Sequence, residues 1–206
     1  GSGTATPEIR VAGKVEAAGG NAVGAITTAI LVDTGANLPL IRNSGAITAK
    51  AGGDNGTARA IVDLSGTVTT VENSGTISAT GALATSDRNV AIDLSANNAG
   101  TTVKQTAVAA GLAAPSIVGD VRFGGGNDVF DIADGSVKGN SYFGAGNNRL
   151  SLSGDATYAG LAKFGAGSDT LALGGTSLFS GTADFGGGAD TLTIAGTARF
   201  AGKLLN

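Results

Sequence analysis

The sequence predicts an all-β parallel β-solenoid, most simply a right-handed β-helix with wide coils followed by narrow ones. Two observations predict this fold. The chain repeats itself, first with a period of about 30 residues and then with a period of 20 or 21. Within each repeat, short stretches of alternating apolar and polar residues are separated by glycine-rich turns. Alternation with a period of two indicates strands with one buried face, and units this short must stack on their neighbours to bury it.

The wide repeat occupies the N-terminal half. Residues 41–47, Ile-Arg-Asn-Ser-Gly-Ala-Ile, recur 30 positions later as residues 71–77, Val-Glu-Asn-Ser-Gly-Thr-Ile. A weaker copy lies at residues 9–15. Asn43 and Asn73 have the same parity as the apolar residues around them, which predicts that they stack inside the coil. We expect their amides to satisfy the backbone of the turn, a structural role rather than a ligand-binding one.

The narrow repeat occupies the C-terminal part and begins with phenylalanine each time. Four segments of the form Phe-Gly-x-Gly, followed by a strand of alternating apolar residues, start at Phe123, Phe143, Phe164 and Phe185. A column of single glycines keeps the same interval. Stacked coils would place these four rings one above another in the interior. A second interior ladder is expected from Tyr158, Phe179 and Phe200.

These periods define the predicted domain organisation. Residues 4–206 should form a single β-helix, with wide coils over about residues 4–116 and narrow coils over about residues 117–206. About eight coils at roughly 4.8 Å each would make a rod roughly 40 Å long. The opening Gly1-Ser2-Gly3 resembles a cloning scar, which indicates that the chain is a segment of a longer protein.

The composition excludes several classes of chemistry. The 206 residues include neither cysteine nor histidine, so disulfides, thiol nucleophiles, imidazole metal sites and a Ser-His-Asp triad are ruled out. Lysine and arginine together number only 13, the formal net charge is −3, and the basic residues are scattered, which argues against nucleic-acid binding. Apolar content comes from alanine, valine, isoleucine and leucine, since aromatics make up 4% of the chain.

The Asn-Ser-Gly-x-Ile repeat followed by tandem Phe-Gly-x-Gly-x-Asp-x-Leu repeats resembles the passenger region of bacterial autotransporters, over about residues 9–206. The resemblance implies a β-helical segment that is displayed at the cell surface, on the extracellular side of the outer membrane. It also implies a partner, the C-terminal outer-membrane β-barrel of the same precursor. Passengers with such repeats include adhesins, self-associating rods and plain stalks, so the resemblance is informative about architecture and says little about activity.

The glycine-aspartate turns also resemble the calcium-binding nonapeptide of secreted toxins. If calcium binds, Asp169 and Asp190 are the expected ligands, together with Asp128. Two departures weaken the match, because phenylalanine replaces the first glycine and the motif occurs once per 20 or 21 residues instead of every nine. Asn148 also stands where an aspartate is expected. The competing interpretation, which we favour, is that each aspartate caps its own glycine turn through backbone N–H groups.

A further acidic series recurs at intervals of 30, at Asp33, Asp63 and Asp93. Each lies between residues expected to face the core, so we expect these three carboxylates to point outward as a solvated face. The alternative is a cation or ligand stripe.

Three functions are compatible with these patterns. The regularity of the repeats favours a non-catalytic stalk or spacer without cofactor or small-molecule substrate. The second hypothesis is an adhesin or self-associating module that binds a cell-surface ligand or another copy along one face. The third, a carbohydrate-active enzyme, would need paired carboxylates such as Asp131 with Asp134 or Asp120 with Asp155. We rank it last, because no long insertion that would build a groove is evident in the repeats.

Overall fold

The computed structural model describes residues 7–206. The Gly1-Ser2-Gly3 segment that we assign to cloning lies outside the described residues. Within residues 7–206 the chain forms 22 β-strands and no helix, so this part of the chain has no helical segment long and apolar enough to cross a membrane.

The strands are short and follow one another in a fixed order. The first twelve are β1 (Glu8–Val11), β2 (Lys14–Ala18), β3 (Ile26–Val32), β4 (Leu40–Asn43), β5 (Ala46–Lys50), β6 (Thr57–Asp63), β7 (Thr70–Asn73), β8 (Thr76–Thr80), β9 (Asn89–Asp93), β10 (Thr102–Gln105), β11 (Ser116–Val118) and β12 (Asp120–Arg122). The remaining ten are β13 (Val129–Ile132), β14 (Ser136–Lys138), β15 (Ser141–Tyr142), β16 (Arg149–Leu152), β17 (Thr157–Lys163), β18 (Thr170–Leu173), β19 (Leu178–Asp184), β20 (Thr191–Ile194), β21 (Arg199–Phe200) and β22 (Lys203–Leu205).

The strands form parallel columns that run along a solenoid, and this confirms the predicted fold class. One sheet has eight strands in the order β1-β4-β7-β10-β13-β16-β18-β20, one from each coil. The second sheet has fourteen strands and contains the other two columns, which merge where β17 and β19 run through the corner without a break. Every pairing described between strands is parallel, as expected when each coil lies on the one before it.

The register of the eight-stranded sheet shows where the coils narrow. Residues stacked in one column are, in order, Ile9, Ile41, Val71, Val103, Phe130, Leu150, Leu171 and Leu192. The intervals between them are 32, 30, 32, 27, 20, 21 and 21 residues. Wide coils therefore precede narrow ones, and a coil of intermediate length, which begins at β10, joins the two.

Two aromatic ladders fill the interior of the narrow coils, as predicted. The ring centroids of Phe123 and Phe143 lie 4.7 Å apart, those of Phe143 and Phe164 lie 4.7 Å apart, and Phe185 continues the column at 5.1 Å. Tyr158, Phe179 and Phe200 form the second ladder, with spacings of 4.9 and 5.2 Å. The spacing approximates the distance between parallel strands, so the backbone pairing sets the ring separation.

An amide ladder lies inside the wide coils. Asn43 Nδ2 donates to Asn73 Oδ1 at 2.8 Å, and Asn73 Nδ2 donates to Gln105 Oε1 at 3.2 Å. Each asparagine Oδ1 also accepts the N–H of the glycine two residues later, at 3.2 Å in both coils. The asparagines therefore stack and hold their own turns, as predicted, and Gln105 extends the column by one coil.

The register predicts opposite outcomes for a charge at adjacent positions. Phe164 is only 2% exposed, whereas the neighbouring Lys163 points to solvent. We expect Phe164→Asp to lower the free energy of unfolding by more than about 4 kcal/mol, because it removes a buried ring and buries an unpaired charge. Lys163→Asp should change it by less than about 1 kcal/mol. Urea denaturation of both variants checks this, and similar losses at the two sites would contradict the register.

Candidate functional site

The three aspartates named as calcium ligands occupy equivalent positions in the solenoid. Each immediately precedes a strand of the eight-stranded sheet, and Thr101 and Asn148 hold the same position in their coils. We call this set the aspartate column. Its members, in order along the rod, are Thr101, Asp128, Asn148, Asp169 and Asp190.

Hydrogen bonds run along the aspartate column from each coil to the next. The backbone N–H of Thr101 donates to Asp128 Oδ1 at 2.7 Å, and that of Asp128 donates to Asn148 Oδ1 at 3.0 Å. Asn148 N–H donates to Asp169 Oδ1 at 2.7 Å, and Asp169 N–H donates to Asp190 Oδ1 at 2.9 Å. One side-chain oxygen per coil thus satisfies a backbone donor of the preceding coil.

The second branch of these side chains distinguishes asparagine from aspartate. Asn148 Nδ2 donates to the carbonyl oxygens of two glycines in its own turn, Gly144 at 3.2 Å and Gly146 at 3.1 Å. The corresponding Oδ2 atoms of Asp128, Asp169 and Asp190 are buried and have no hydrogen-bond partner. Buried polar atoms in native proteins are seldom without a partner, so these three oxygens require an explanation.

Burial dominates the electrostatics of the column. Asp128 and Asp169 are both 0% exposed. Burial raises the pKa of the Asp128 carboxyl, although the hydrogen bonds from Thr101 act in the opposite direction. Burial also raises the pKa of Asp169, against the hydrogen bonds from Asn148, and the neighbouring charge of Asp190 raises it further.

The arrangement bears on both interpretations of the glycine-aspartate turns. Residues 7–206 contain no group of three or more acidic side chains placed to hold one metal ion together. The calcium assignment to Asp128, Asp169 and Asp190 stays a prediction. Capping takes a different form from the one expected, because Oδ1 of Asp128, Asp169 and Asp190 accepts from the preceding coil rather than from its own glycine turn.

In the acidic series at intervals of 30, Asp33 is exposed as expected and Asp93 is half-buried, but Asp63 is buried, so the prediction of one outward column was wrong. Asp63 is 1% exposed, and its carboxylate accepts the backbone N–H groups of Ser65, Gly66 and Val68 at 2.9 to 3.1 Å. The sheet register pairs Asp63 with Val32 rather than with Asp33. Structurally equivalent residues are therefore 31 positions apart here, one more than the interval of 30 between the aspartates. Asp63 is a buried turn cap.

Three of the four carboxylates considered for a glycosidase pair accept hydrogen bonds from other residues of the solenoid. Asp131 Oδ1 accepts from Ser151 Oγ at 2.9 Å, and Asp134 Oδ2 accepts the N–H of Val108 at 3.1 Å. Asp120 Oδ1 accepts the N–H of Asn140 at 2.9 Å, and burial raises the pKa of Asp120. Asp155 is exposed on the surface.

The expectation that no long insertion interrupts the repeats was wrong at one corner of the solenoid. Residues 106–115 form an insertion at the corner between β10 and β11, where the two preceding coils use only two residues. The insertion carries the exposed Leu112, which is 66% accessible. The detectable signal was the uncharged run at residues 107–114, which interrupts the alternation of apolar and polar residues.

Comparisons with known proteins add no further constraint. Neither protein-family models, nor curated proteins, nor solved structures gave a significant match to this chain.

The ladder makes Asn148 a sensitive position. Asn148 is 1% exposed, and Asn148→Ala removes its Oδ1 acceptor and its Nδ2 donor. The Asp128 N–H and the carbonyls of Gly144 and Gly146 are then left without partners. We expect it to lower the free energy of unfolding by about 2–4 kcal/mol.

The control is Asn147→Ala at the adjacent, exposed asparagine, which accepts a single bond from Ser168. Its loss should stay below about 1 kcal/mol. Both values come from urea denaturation at neutral pH, and a larger loss at position 147 would contradict the ladder.

Proposed function

We propose that this chain is a non-catalytic structural stalk or spacer in a surface-displayed or secreted autotransporter passenger. The single observation that carries the proposal is the register of the eight-stranded sheet, which continues without interruption through eight coils. A structure of this kind extends in one dimension, and each added coil lengthens it by about 4.8 Å. Holding something at a distance is the task that such a rod performs without further machinery.

The use of the polar side chains supports a structural role. The buried amides join one coil to the next, as Asn43 does with Asn73. The buried carboxyls accept from backbone N–H groups, either in the neighbouring coil, as Asp169 does, or in their own turn, as Asp63 does. These side chains therefore contribute to the stacking of the coils and to the geometry of their turns.

The resemblance in the repeats supports the cellular setting of the proposal. An autotransporter passenger would lie on the extracellular side of the outer membrane, joined to a β-barrel of the same precursor. The chain has no cysteine, which suits a protein that crosses the cell envelope before it folds.

A second candidate function is adhesion or self-association, and the insertion at residues 106–115 favours it. In repeat proteins, insertions confined to one coil often lie on the binding face. This insertion is largely exposed and apolar between Ala107 and Ala114, and it lies at the coil where the wide repeat ends. A second copy or a cell-surface ligand would be its partner.

A deletion of one narrow coil tests the stalk proposal. Removing residues 164–184 joins Lys163 to Phe185. Lys163 and Asp184 are register partners in neighbouring coils, so Lys163 takes the place of Asp184 and the columns stay aligned. We expect the shortened chain to fold cooperatively and its rod to shorten by about 5 Å, measured by small-angle scattering. Removing residues 164–174 is the matched control and should unfold the narrow coils, because it breaks the alignment of the columns.

The same samples separate the two candidate functions. A stalk should remain monomeric in sedimentation at rising concentration, before and after deletion of the coil. An association that grows with concentration and disappears in Leu112→Ser would favour the second candidate and contradict a plain spacer.

A further inference from the structure

The aspartate column contains both asparagine and aspartate at equivalent positions, and comparing them bears on the protonation of the buried carboxyls. Asn148, Asp128 and Asp169 occupy the same position in successive coils, since each precedes a residue of one parallel register. Their Oδ1 atoms do the same work, accepting the N–H of the preceding coil. The other branch of each side chain must therefore point to the same place. In Asn148 that place holds an N–H₂ group between two glycine carbonyls.

An ionised carboxylate would fit this place poorly. By equivalence with Asn148, it would set a negative oxygen toward glycine carbonyl oxygens, which offer no proton. The Oδ2 atoms of both aspartates are also shielded from water. The second glycine of each turn has a positive φ angle, of 86° at Gly126, 125° at Gly146 and 146° at Gly167. A protonated carboxyl, in contrast, has the shape of the asparagine amide and carries a donor on the second branch.

We propose that Asp128 and Asp169 are neutral carboxylic acids in the folded rod, and that each Oδ2–H donates to glycine carbonyls of its own turn. The acceptors are those that correspond to Gly144 and Gly146, which are Gly124 and Gly126 for Asp128, and Gly165 and Gly167 for Asp169. The three side chains then form one hydrogen-bonded ladder in which asparagine and protonated aspartate alternate. This proposal does not depend on the stalk function.

Among the described residues, no lysine or arginine forms an ion pair with either carboxyl. Asp128 is contacted by Thr101 and Asn148, and no charged group acts on it within the described residues. Asp169 is contacted by Asn148 on one side and by Asp190 on the other, and Asp190 is the one charged group that acts on it in this part of the chain. Asp190 disfavours a second negative charge beside it.

The ladder makes the narrow coils respond to pH. The pKa values of Asp128 and Asp169 are raised in the folded chain above those of an unfolded aspartate. The stability that these two protons contribute is therefore complete below the unfolded pKa and is lost as the pH rises through the folded pKa. At these two sites the rod gains stability as the medium turns acidic.

The test is to replace the protonated acid with its neutral analogue. Asp169→Asn supplies the donor without needing a proton, so the thermal midpoint at pH 7.5 should rise by about 3 °C. The gain should shrink at pH 5, where the wild-type carboxyl is more fully protonated. Asp155→Asn, at an exposed site in the same narrow coils, should show neither effect.

A second readout reports the protonation state itself. Infrared difference spectra between wild type and Asp169→Asn should show the carbonyl band of an un-ionised carboxylic acid in the wild type at neutral pH. The reverse substitution, Asn148→Asp, should lower the midpoint at pH 7.5 and recover at pH 5. It keeps the proposal testable if Asp169→Asn does not fold.

Three results would overturn the proposal. The first is a lower or unchanged midpoint in Asp169→Asn at pH 7.5, and the second is the absence of the acid band. The third is a midpoint that rises with calcium and falls with a chelator in the wild type but not in Asp169→Asn, because the orphaned oxygens would then be cation ligands.

Discussion

Interior side chains of the strands and ladders in this rod stack on the side chain at the same position one coil away. The backbone pairing of parallel strands holds that separation near 4.8 Å, and the aromatic ladders reproduce it at 4.7 to 5.2 Å. A residue is therefore suitable at an interior position only if it can stack on its own kind or on a close analogue. Phenylalanine and asparagine satisfy this condition, because rings stack and amides carry both a donor and an acceptor.

Charged side chains meet this condition less readily, because like charges one coil apart repel each other. On the outer face of the eight-stranded sheet, Arg42 lies beside Glu72, with Arg42 Nε 3.3 Å from a Glu72 carboxylate oxygen. The same column continues with Lys104 and Asp131, so its signs alternate from Arg42 to Asp131. Arg10 stacks on Arg42 with the same sign, and Glu8 forms ion pairs with both arginines. In the interior, where solvent cannot screen a charge, Asn148 interrupts the aspartates. The narrow corner has its own constraint, because a Cβ at Gly160 would lie 2.0 Å from the carbonyl oxygen of Gly139.

The interior of the solenoid could be predicted from the sequence because stacking makes equal residues recur at equal intervals. Phe164 and Asn73 lie where their repeats place them. Asp63 does not, because the last four residues of β6 are all buried. Alternation along the strand therefore does not predict which way the side chain of Asp63 points. The sequence could not predict which backbone N–H groups the aspartates accept. A carboxyl that caps its own turn and one that caps the preceding coil would occupy the same position in the repeat. The insertion at residues 106–115 has no repeat from which its path could be predicted.

The central claim is that eight coils rise in register along one axis, and distances along a single column measure this directly. Lys14, Thr157 and Arg199 are exposed and lie in one column of the solenoid. Thr157 lies five coils from Lys14, and Arg199 lies seven coils from it. The chain has no cysteine, so spin labels can be attached at introduced cysteines alone. Double electron–electron resonance should give a distance between spin labels of about 24 Å for positions 14 and 157, and of about 34 Å for positions 14 and 199. Distances that fail to grow with the number of coils, or that spread broadly, would contradict the stacked solenoid.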